Sequence, residues 1–464
     1  MGRDMDGALS VYRDFHGARQ LVGRITPSPA PGSADGRFSY DFSYIRSEAP
    51  APIGTRLRLK PSPFSEEETR LFFSELAPSG LSRKMLAAAL GVPQADYASM
   101  LARLGFASSG ALMFCAEDEE FPDKPRLDAV HTADLESFAA HPHILGVRMA
   151  CKSHLALGGG QFKLALFHEG DGPRTRWYLP AFGAPSTHVV KAPDDAHPGH
   201  TLNEALCMRA ARLLGLHVAD TALIALTARE PLLAVRRFDR PYMAAPALLD
   251  GHELPARLHQ EDFCQAGGLS CAGRRHGSTG RESRADRAGA SNRTGVAGRT
   301  GAGTTAGTGA GGLERAVRIV NATACNPLSA RIRLFKRLLF SFIIGNCDNG
   351  FKKHALLWDA DWKRCMLAPA YDLACTTIYD DEPREMDIGP ARARIDDVRA
   401  DDIRAAGAQC GVGERLAWDY YGKLCRNLPG ALEQAASEIE ELGFRRVRHI
   451  ADFIAGDARK RSFA

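Results

Sequence analysis

Four short stretches of this chain carry residues able to handle a phosphorylated ligand. Gly158, Gly159 and Gly160, with Gln161 and Lys163 just after them, lie between two apolar runs. Glycines let backbone N–H groups approach a phosphate, and a nearby lysine adds a point charge; a glycine triplet equally suits a plain turn. Lys191 ends the run Ser186-Thr187-His188-Val189-Val190-Lys191. Strand alternation puts it on one face with Thr187 and Val189, where an ammonium needs either an anion or a path to solvent. Asp348 follows the most apolar helical stretch, with Lys352 four residues on. Such an Asp could accept a hydroxyl proton while Lys352 steadies a transferring phosphoryl group, or the segment is a helix-stop turn. Asp372 stands in the otherwise apolar run Leu367 to Leu373. A buried carboxylate is costly unless paired, so Asp372 is read as a metal ligand or a hydrogen-bonded anchor. Glu204 has two readings, partner of Lys191 or last residue of the capping box Thr201-Leu202-Asn203-Glu204, and the cap is the preferred one.

Those residues need elements to hold them. Residues 9–24 predict a hairpin about Phe15-His16-Gly17, and Phe38 to Phe42 a half-buried strand. Helices follow: one capped by Ser65 with Glu68, one from Ser82 to Leu90 closed by Gly91, and one from Asp96 to Leu104. Residues 1–125 therefore form a small α+β subdomain. Residues 145–240 read as a nucleotide-binding lobe, with strands over 162–167, 176–179, 187–191 and 232–235 and a helix over 201–214. Residues 241–464 read as a mainly helical lobe, with helices over 259–265, 330–344, 397–406, 416–427 and 430–442. Within it, about 267–312 is rich in Gly, Ala, Thr, Ser and Arg, with no Phe, Tyr or Trp between Cys264 and Leu334. Such a stretch cannot offset about 1–2 kcal/mol per residue of backbone ordering, and disorder is expected there.

Composition narrows the classes. At 464 residues, 45% hydrophobic and 25% charged, the chain has the make-up of a globular protein. Its apolar runs stop far short of the roughly 18 residues that a membrane span needs. A net charge of +4 argues against a nucleic-acid coat, so any DNA contact would be local or borrowed from a partner. Eleven cysteines without a CxxC pair predict reduced thiols rather than a zinc site. The N-terminus shows no apolar signal core, which makes the cytoplasm the expected location.

The order of the motifs (Gly-rich loop, strand Lys, helix Glu, strand to hinge, helical lobe, Asp loop, second Asp) is that of a two-lobed protein kinase. Several runs make the likeness specific. They are Gly159-Gly160-Gln161-Phe162-Lys163-Leu164-Ala165-Leu166, Pro185-Ser186-Thr187-His188-Val189-Val190-Lys191 and Asn203-Glu204. To these add Arg237-Phe238-Asp239-Arg240, Arg257-Leu258-His259-Gln260-Glu261-Asp262-Phe263-Cys264-Gln265, Gly345-Asn346-Cys347-Asp348 and Pro369-Ala370-Tyr371-Asp372-Leu373. Together they resemble the HipA family of toxin kinases, from the opening hairpin to the C-terminal helices.

The resemblance implies an α+β, two-lobed protein-kinase-like fold: a mixed α/β N-terminal lobe with an extra small N-terminal subdomain, and a mainly helical C-terminal lobe. It implies a serine/threonine kinase of a type II toxin-antitoxin pair, using ATP and Mg²⁺. A helix-turn-helix antitoxin would neutralise it and supply the only contact with DNA, and its substrate would belong to the translation machinery, such as an aminoacyl-tRNA synthetase. By position, Gly158 to Lys163 would form the phosphate loop and Lys191 would hold phosphates. Arg236 and Phe238 would meet adenine through the hinge backbone, Asp348 would be the base, and Asp372 would bind the metal. The chain departs from the family at three places. Gly350 and Lys353 stand where the family has His and Asn, Ala156 stands where some members carry a phosphorylatable Ser, and the Gly/Arg-rich segment interrupts the helical lobe. The first departure leaves a second reading, a pseudokinase that keeps the antitoxin contact and has lost phosphoryl transfer.

Overall fold

The hairpin at the start of the chain forms as its turn residues dictate. Strands β1 (Leu9–Phe15) and β2 (Ala18–Pro27) meet at His16 and Gly17, whose φ values of 53° and 84° give the left-handed pair that a tight hairpin turn needs. The computed structural model describes residues 7–29, 33, 35–117, 119–121, 124–155, 157–170, 174–227, 230–270, 310–386, 388–389 and 394–463. Ala156 and residues 271–309 lie outside these, so the expectations placed on them are not addressed. At the edges of the Gly/Arg-rich stretch the expected boundaries shift: Gly267 closes one helix, and another already runs from Ala310.

The N-terminal subdomain adds β3 (Gly36–Tyr40), α1 (Phe42–Ile45), α2 (Glu66–Phe73), α3 (Gly80–Leu90), α4 (Tyr97–Leu104) and β4 (Leu112–Ala116), with sheet order β3-β2-β1-β4. Ser65 and Glu68 make the predicted reciprocal cap on α2. Helix α3 starts at Gly80 rather than at Ser82, because Ser82 Oγ donates instead to the carbonyl of Gly160 at 2.8 Å.

The next unit is a six-stranded antiparallel sheet, order β5-β7-β6-β8-β10-β9. Its strands are β5 (Arg126–Val130), β6 (Lys163–Glu169), β7 (Arg176–Ala181), β8 (His188–Lys191), β9 (Thr221–Ile224) and β10 (Leu232–Arg236). Helices α5 (Thr132–Ala140) and α6 (Pro142–Ser153) cover one face, packing Phe138 and Met149 with Leu164, Leu166, Val190 and Leu232. Since Val190 points into this core, its neighbour Lys191 faces the other side. Helix α7 (His200–Leu213) joins the sheet to the second lobe, where Leu202, Leu206 and Ala210 enter the large helical core.

The C-terminal lobe contains β11 (Ala247–Leu249), β12 (His252–Leu254), β13 (Gln260–Asp262), α8 (Phe263–Gly267), α9 (Ala310–Thr323), α10 (Pro327–Ile344), β14 (Ala355–Trp358), β15 (Cys365–Leu367), α11 (Ala400–Gln409), α12 (Glu414–Glu441) and α13 (Val447–Lys460). Two expectations change. The helix predicted over 259–265 is strand β13 followed by the short α8, since Gln260 to Asp262 pair with β14. The two helices predicted over 416–442 are one, α12, which runs through Pro429. An interior proline costs about 3 kcal/mol, which burial of Leu424, Leu428, Leu432 and Ala435 in the lobe core offsets.

The run Arg257 to Gln265 works as a staple between lobe and subdomain. His259 Nε2 lies 2.8 Å from the Ile53 carbonyl, Glu261 accepts from the Thr55 N–H at 3.0 Å, and Gln265 Nε2 donates to the Phe72 carbonyl at 3.1 Å. Trp362, from the β14–β15 hairpin, is buried in the subdomain core and stacks on His259 with ring centroids 4.2 Å apart. Among the described residues nine cysteines are free thiols, but Cys264 is disulfide-bonded, against the expectation of reduced thiols throughout. Among the described residues no helix is long and apolar enough to cross a membrane.

Candidate active site

Lys191, at the end of β8, sends its ammonium between two carboxylates. Its Nζ donates to Glu204 Oε1 and Oε2 at 2.8 and 2.7 Å, and to Asp372 Oδ1 at 2.5 Å. All three donors of the ammonium are thereby used. Burial alone would lower this lysine's pKa, but Asp372 and Glu204 outweigh it and keep the group charged. Glu204 is fully buried, and its partner is Lys191 rather than a helix cap. The preferred reading of Glu204 is therefore corrected: α7 is capped at Gly199, which moves Glu204 two residues further into the helix, past the positions a cap can use. Its neighbour Asn203, to which the sequence attached no role, clasps Cys375, accepting its N–H at 2.9 Å and donating to its carbonyl at 2.8 Å.

Asp372 is delivered by the β14–β15 hairpin, which the sequence did not announce. After β15 the chain runs to Ala370, whose N–H donates to the His217 carbonyl at 2.8 Å. Asp372 itself has φ of 58°, a left-handed conformation that costs a non-glycine residue about 1 kcal/mol and aims the carboxylate back into the cleft. Burial would raise its pKa, yet Lys191 and Lys353 overcome that and hold the carboxyl well below the usual range.

Asp348 follows α10, which ends at Gly345 in the left-handed region, φ 78°. A Cβ there would lie 2.2 Å from Thr377 Oγ1, so only glycine permits this close approach. The loop is tied to the segment beyond Asp372: Cys347 N–H donates to Thr376 Oγ1 at 2.9 Å, and the Gly345 carbonyl accepts from Thr376 and Thr377 at 3.0 and 3.1 Å. The side chain of Asp348 is 40% exposed and faces Lys353, whose Nζ lies 2.8 Å from Asp348 Oδ2 and also bonds Asp372 Oδ2. Lys353 thus bridges the two carboxylates. Flanked by both, it is held protonated, its pKa raised in spite of burial.

Lys352, expected to act beside Asp348, is engaged elsewhere. Its Nζ lies 2.6 Å from Glu75 Oε2, 2.9 Å from the Glu75 carbonyl and 3.1 Å from Asp262 Oδ2. With its three donors spent on the subdomain and the staple, Lys352 is a tie between parts of the molecule; the cation next to Asp348 is Lys353.

The glycine loop packs on the N-terminal subdomain. Ser79 N–H donates to the Gly159 carbonyl at 3.0 Å, beside the bond from Ser82 to Gly160. Gly158 lies against Glu75 and the Lys352 ammonium. Gly159, with φ of 101°, leaves room for Lys163, whose Nζ would sit 2.9 Å from a Cβ there. Gln161 is half-buried, and Lys163 is the cross-strand partner of Lys191. Burial, and then the Lys191 ammonium, lower the Lys163 pKa to about 7. At the hinge, Arg236 turns its side chain outward toward Asp220, 3.9 Å away, and its N–H donates to the Asp220 carbonyl, leaving only its own carbonyl for a ligand. The Phe238 ring packs on Tyr371, centroids 5.7 Å apart.

The structure therefore brings together Lys163, Lys191, Asp348 and Asp372, adds Glu204 and Lys353, and sets Lys352 and the Arg236 side chain apart. Three ammonium groups, of Lys163, Lys191 and Lys353, lie about the Asp372 carboxylate. For a metal the fit is with one ion: among the described residues no cluster of three or more acidic, His or Cys ligands exists. Magnesium at phosphoryl-transfer sites takes one or two carboxylates and completes its shell with phosphate oxygens and water; Asp372 can provide one carboxylate, while the space between it and Asp348 holds the Lys353 ammonium.

A family model described as the HipA-like C-terminal domain matches residues 155–432, and one described as the HipA N-terminal domain matches residues 15–115. A Sinorhizobium fredii protein named as a kinase, Y4mE, is 29% identical over 453 residues, covering 95% of this chain and 96% of that one. The serine/threonine-protein kinase toxin HipA of Shewanella oneidensis is 24% identical over 440 residues, covering 93% of this chain and 90% of the toxin. Among solved structures, a chain in the complex of the Shewanella oneidensis toxin-antitoxin proteins HipA and HipB with operator DNA superposes with a TM-score of 0.72 at 20% identity, over 97% of each chain.

Proposed function

The chain belongs to the HipA family, and on that footing we propose that it is an ATP- and Mg²⁺-dependent serine/threonine protein kinase acting as the toxin of a type II toxin-antitoxin pair. The observation that carries this reading is the placement of the Lys191 ammonium between Glu204 and Asp372, with Asp348 one ammonium away. Lys163, and Lys191 once Asp372 passes from its ammonium to Mg²⁺, would bind phosphates beneath the glycine loop. Asp348, on a loop fixed at Gly345, would accept the proton of the attacking serine or threonine hydroxyl. Asp372 would hold Mg²⁺, which when bound supplies charge neutralisation to the nucleotide. Catalysis in this arrangement is positioning and electrostatics, with no covalent intermediate on the protein. A helix-turn-helix antitoxin is the partner in this reading, DNA is met only through it, and the substrate is a protein of translation such as an aminoacyl-tRNA synthetase. Incubation with γ-labelled ATP, Mg²⁺ and a panel of synthetases tests it directly. Label on one or more synthetases is expected; none on any protein would overturn the enzyme reading.

One observation favours the second reading, a pseudokinase: Lys353 occupies the space between the two carboxylates as an internal cation. An ammonium cannot donate an electron pair to Mg²⁺ while protonated. If this blockade limits the protein, Lys353→Asn, which restores an oxygen ligand, raises phosphotransfer and tightens Mg²⁺ dependence. A rate equal to or below that of the parent chain would count against the blockade.

Lys163 makes nucleotide binding pH-dependent. With its pKa lowered to about 7, it is mostly neutral at pH 8. Anionic phosphates favour the charged form, so ATP binding at pH 8 should take up close to one proton, and at pH 6, where Lys163 is already charged, almost none. Calorimetry in buffers of different ionisation enthalpy reads this directly. The uptake should vanish in Lys163→Met, and buffer-independent heats at pH 8 would remove Lys163 from the phosphate site.

A further inference from the structure

Away from the cleft, α10 carries an unusual charge pattern. Its 18 residues include Arg331, Arg333, Lys336 and Arg337 and no acid. Arg333, Lys336 and Arg337 line a groove of about 450 Å³ together with His217, and Leu216 and Ile332 give it an apolar wall. Among the described residues none of these three cations has a carboxylate partner. Lys336 rests over the Tyr420 ring at 4.2 Å, and Arg333 is exposed. Arg337 is the most telling: it is only 4% exposed, and its guanidinium meets only neutral acceptors, the Ala368 carbonyl at 2.7 Å and His354 Nδ1 at 3.2 Å.

A buried guanidinium is ordinarily matched by an anion, because taking the charge out of water is costly. Here that cost shows: burial lowers the Arg337 pKa to about 10. Partial burial, and then Arg333 and Arg337, hold the His217 imidazole below its ordinary value. Three cationic residues lining one groove with no carboxylate partner among the described residues, beside an apolar wall, describe a site whose missing component is negative and carries a carbon skeleton. A single carboxylate would leave most of the positive charge unmatched. A phosphate offers up to two negative charges and three acceptor oxygens in one group, and the volume suits a small molecule rather than a folded partner.

We propose that this groove binds a small phosphorylated ligand, its phosphate held by Arg333, Lys336 and Arg337 and its apolar part lying on Leu216 and Ile332. The site is separate from the cleft, and its occupancy does not depend on phosphotransfer. It touches the cleft through one route: Arg337 holds Ala368, and Ala370 is bonded to the His217 carbonyl, both on the segment that leads to Asp372. A bound anion would therefore stiffen the arm that carries Asp372.

The His217 imidazole is the local reporter. Inorganic pyrophosphate titrated into the full chain, followed by NMR of the histidine ring carbons, should raise the His217 pKa by about half a pH unit or more, as an anion offsets its two arginine neighbours. Sodium chloride at equal ionic strength should move it far less. Arg333→Ala with Lys336→Ala, both outside the packed core, should weaken the pyrophosphate effect by more than about tenfold, since two charge-assisted hydrogen bonds to the phosphate are lost. Adenosine monophosphate and glycerol phosphate, run alongside, separate a nucleotide from a simpler phosphorylated compound. A His217 ring that ignores pyrophosphate, or an undiminished effect in the double variant, would overturn the proposal. So would a short RNA binding through these residues where pyrophosphate and both monophosphates do not, which would make the groove a nucleic-acid surface.

Discussion

Asp348→Ala should lower phosphotransfer by roughly 10²–10⁴-fold, the range supplied by a positioned general base, while the fold survives. The side chain is 40% exposed, and one of its contacts is the ammonium of Lys353. Removing it leaves Lys353 still paired with Asp372, so that ammonium is not stranded, and changes at exposed side chains stay within about ±0.5 kcal/mol. The measurement is label transfer from γ-labelled ATP, with circular dichroism and Tm on the same samples. Activity equal to that of the parent chain would remove Asp348 from the role of base. Activity lost together with a collapse in Tm would mean that the residue holds the structure instead.

The largest stability loss should come from a residue outside the cleft. Asp239 is 1% exposed and receives Arg237 Nε at 2.9 Å and Nη2 at 2.8 Å, the Gly110 N–H at 2.8 Å and Gln260 Nε2 at 3.1 Å. Arg240 Nη1 lies 2.9 Å from it, and both arginines also donate to the Ser108 carbonyl at 3.0 Å. This one carboxylate therefore joins the hinge, the staple and the N-terminal subdomain. Although burial opposes ionisation, the two guanidiniums hold its pKa far below the ordinary carboxylate range. Its contribution is accordingly complete above that range and is lost only as pH falls well below it. Asp239→Ala strands two buried guanidiniums and should cost about 3–5 kcal/mol. Asp239→Asn keeps the shape and removes the charge, so it should lose most of the same amount. Denaturant unfolding of both variants checks this, and an Asn variant as stable as the parent would show that packing rather than charge holds the joint.

Legibility from sequence followed how local each cause was. Helix α2 was readable because its cap is made by Ser65 and Glu68, three residues apart, and the opening hairpin because His16 and Gly17 carry the turn. Helix α12 was misread as two because its continuity through Pro429 depends on burial against other helices. The hairpin β14–β15 was missed for a similar reason: each strand is short, and its pairing is with chain about a hundred residues earlier as well as with itself.

The site divides along the same line. Sequence by itself determined which groups are present and in what order along the chain: the glycine loop, Lys191, Asp348, Asp372, and the Lys353 that breaks the family pattern. Strand alternation even placed Lys191 on the face opposite Val190. Only the tertiary structure decided who pairs with whom. It gave Glu204 to Lys191 rather than to a cap, sent Lys352 to Glu75 and Asp262, and set Lys353 between Asp348 and Asp372. The physical reason is that a residue's type and local periodicity set its charge and its face, whereas ion pairing depends on distances of 2.5–4 Å between side chains far apart in the chain. Those distances exist only after the sheet, the α7 helix and the helical lobe have packed.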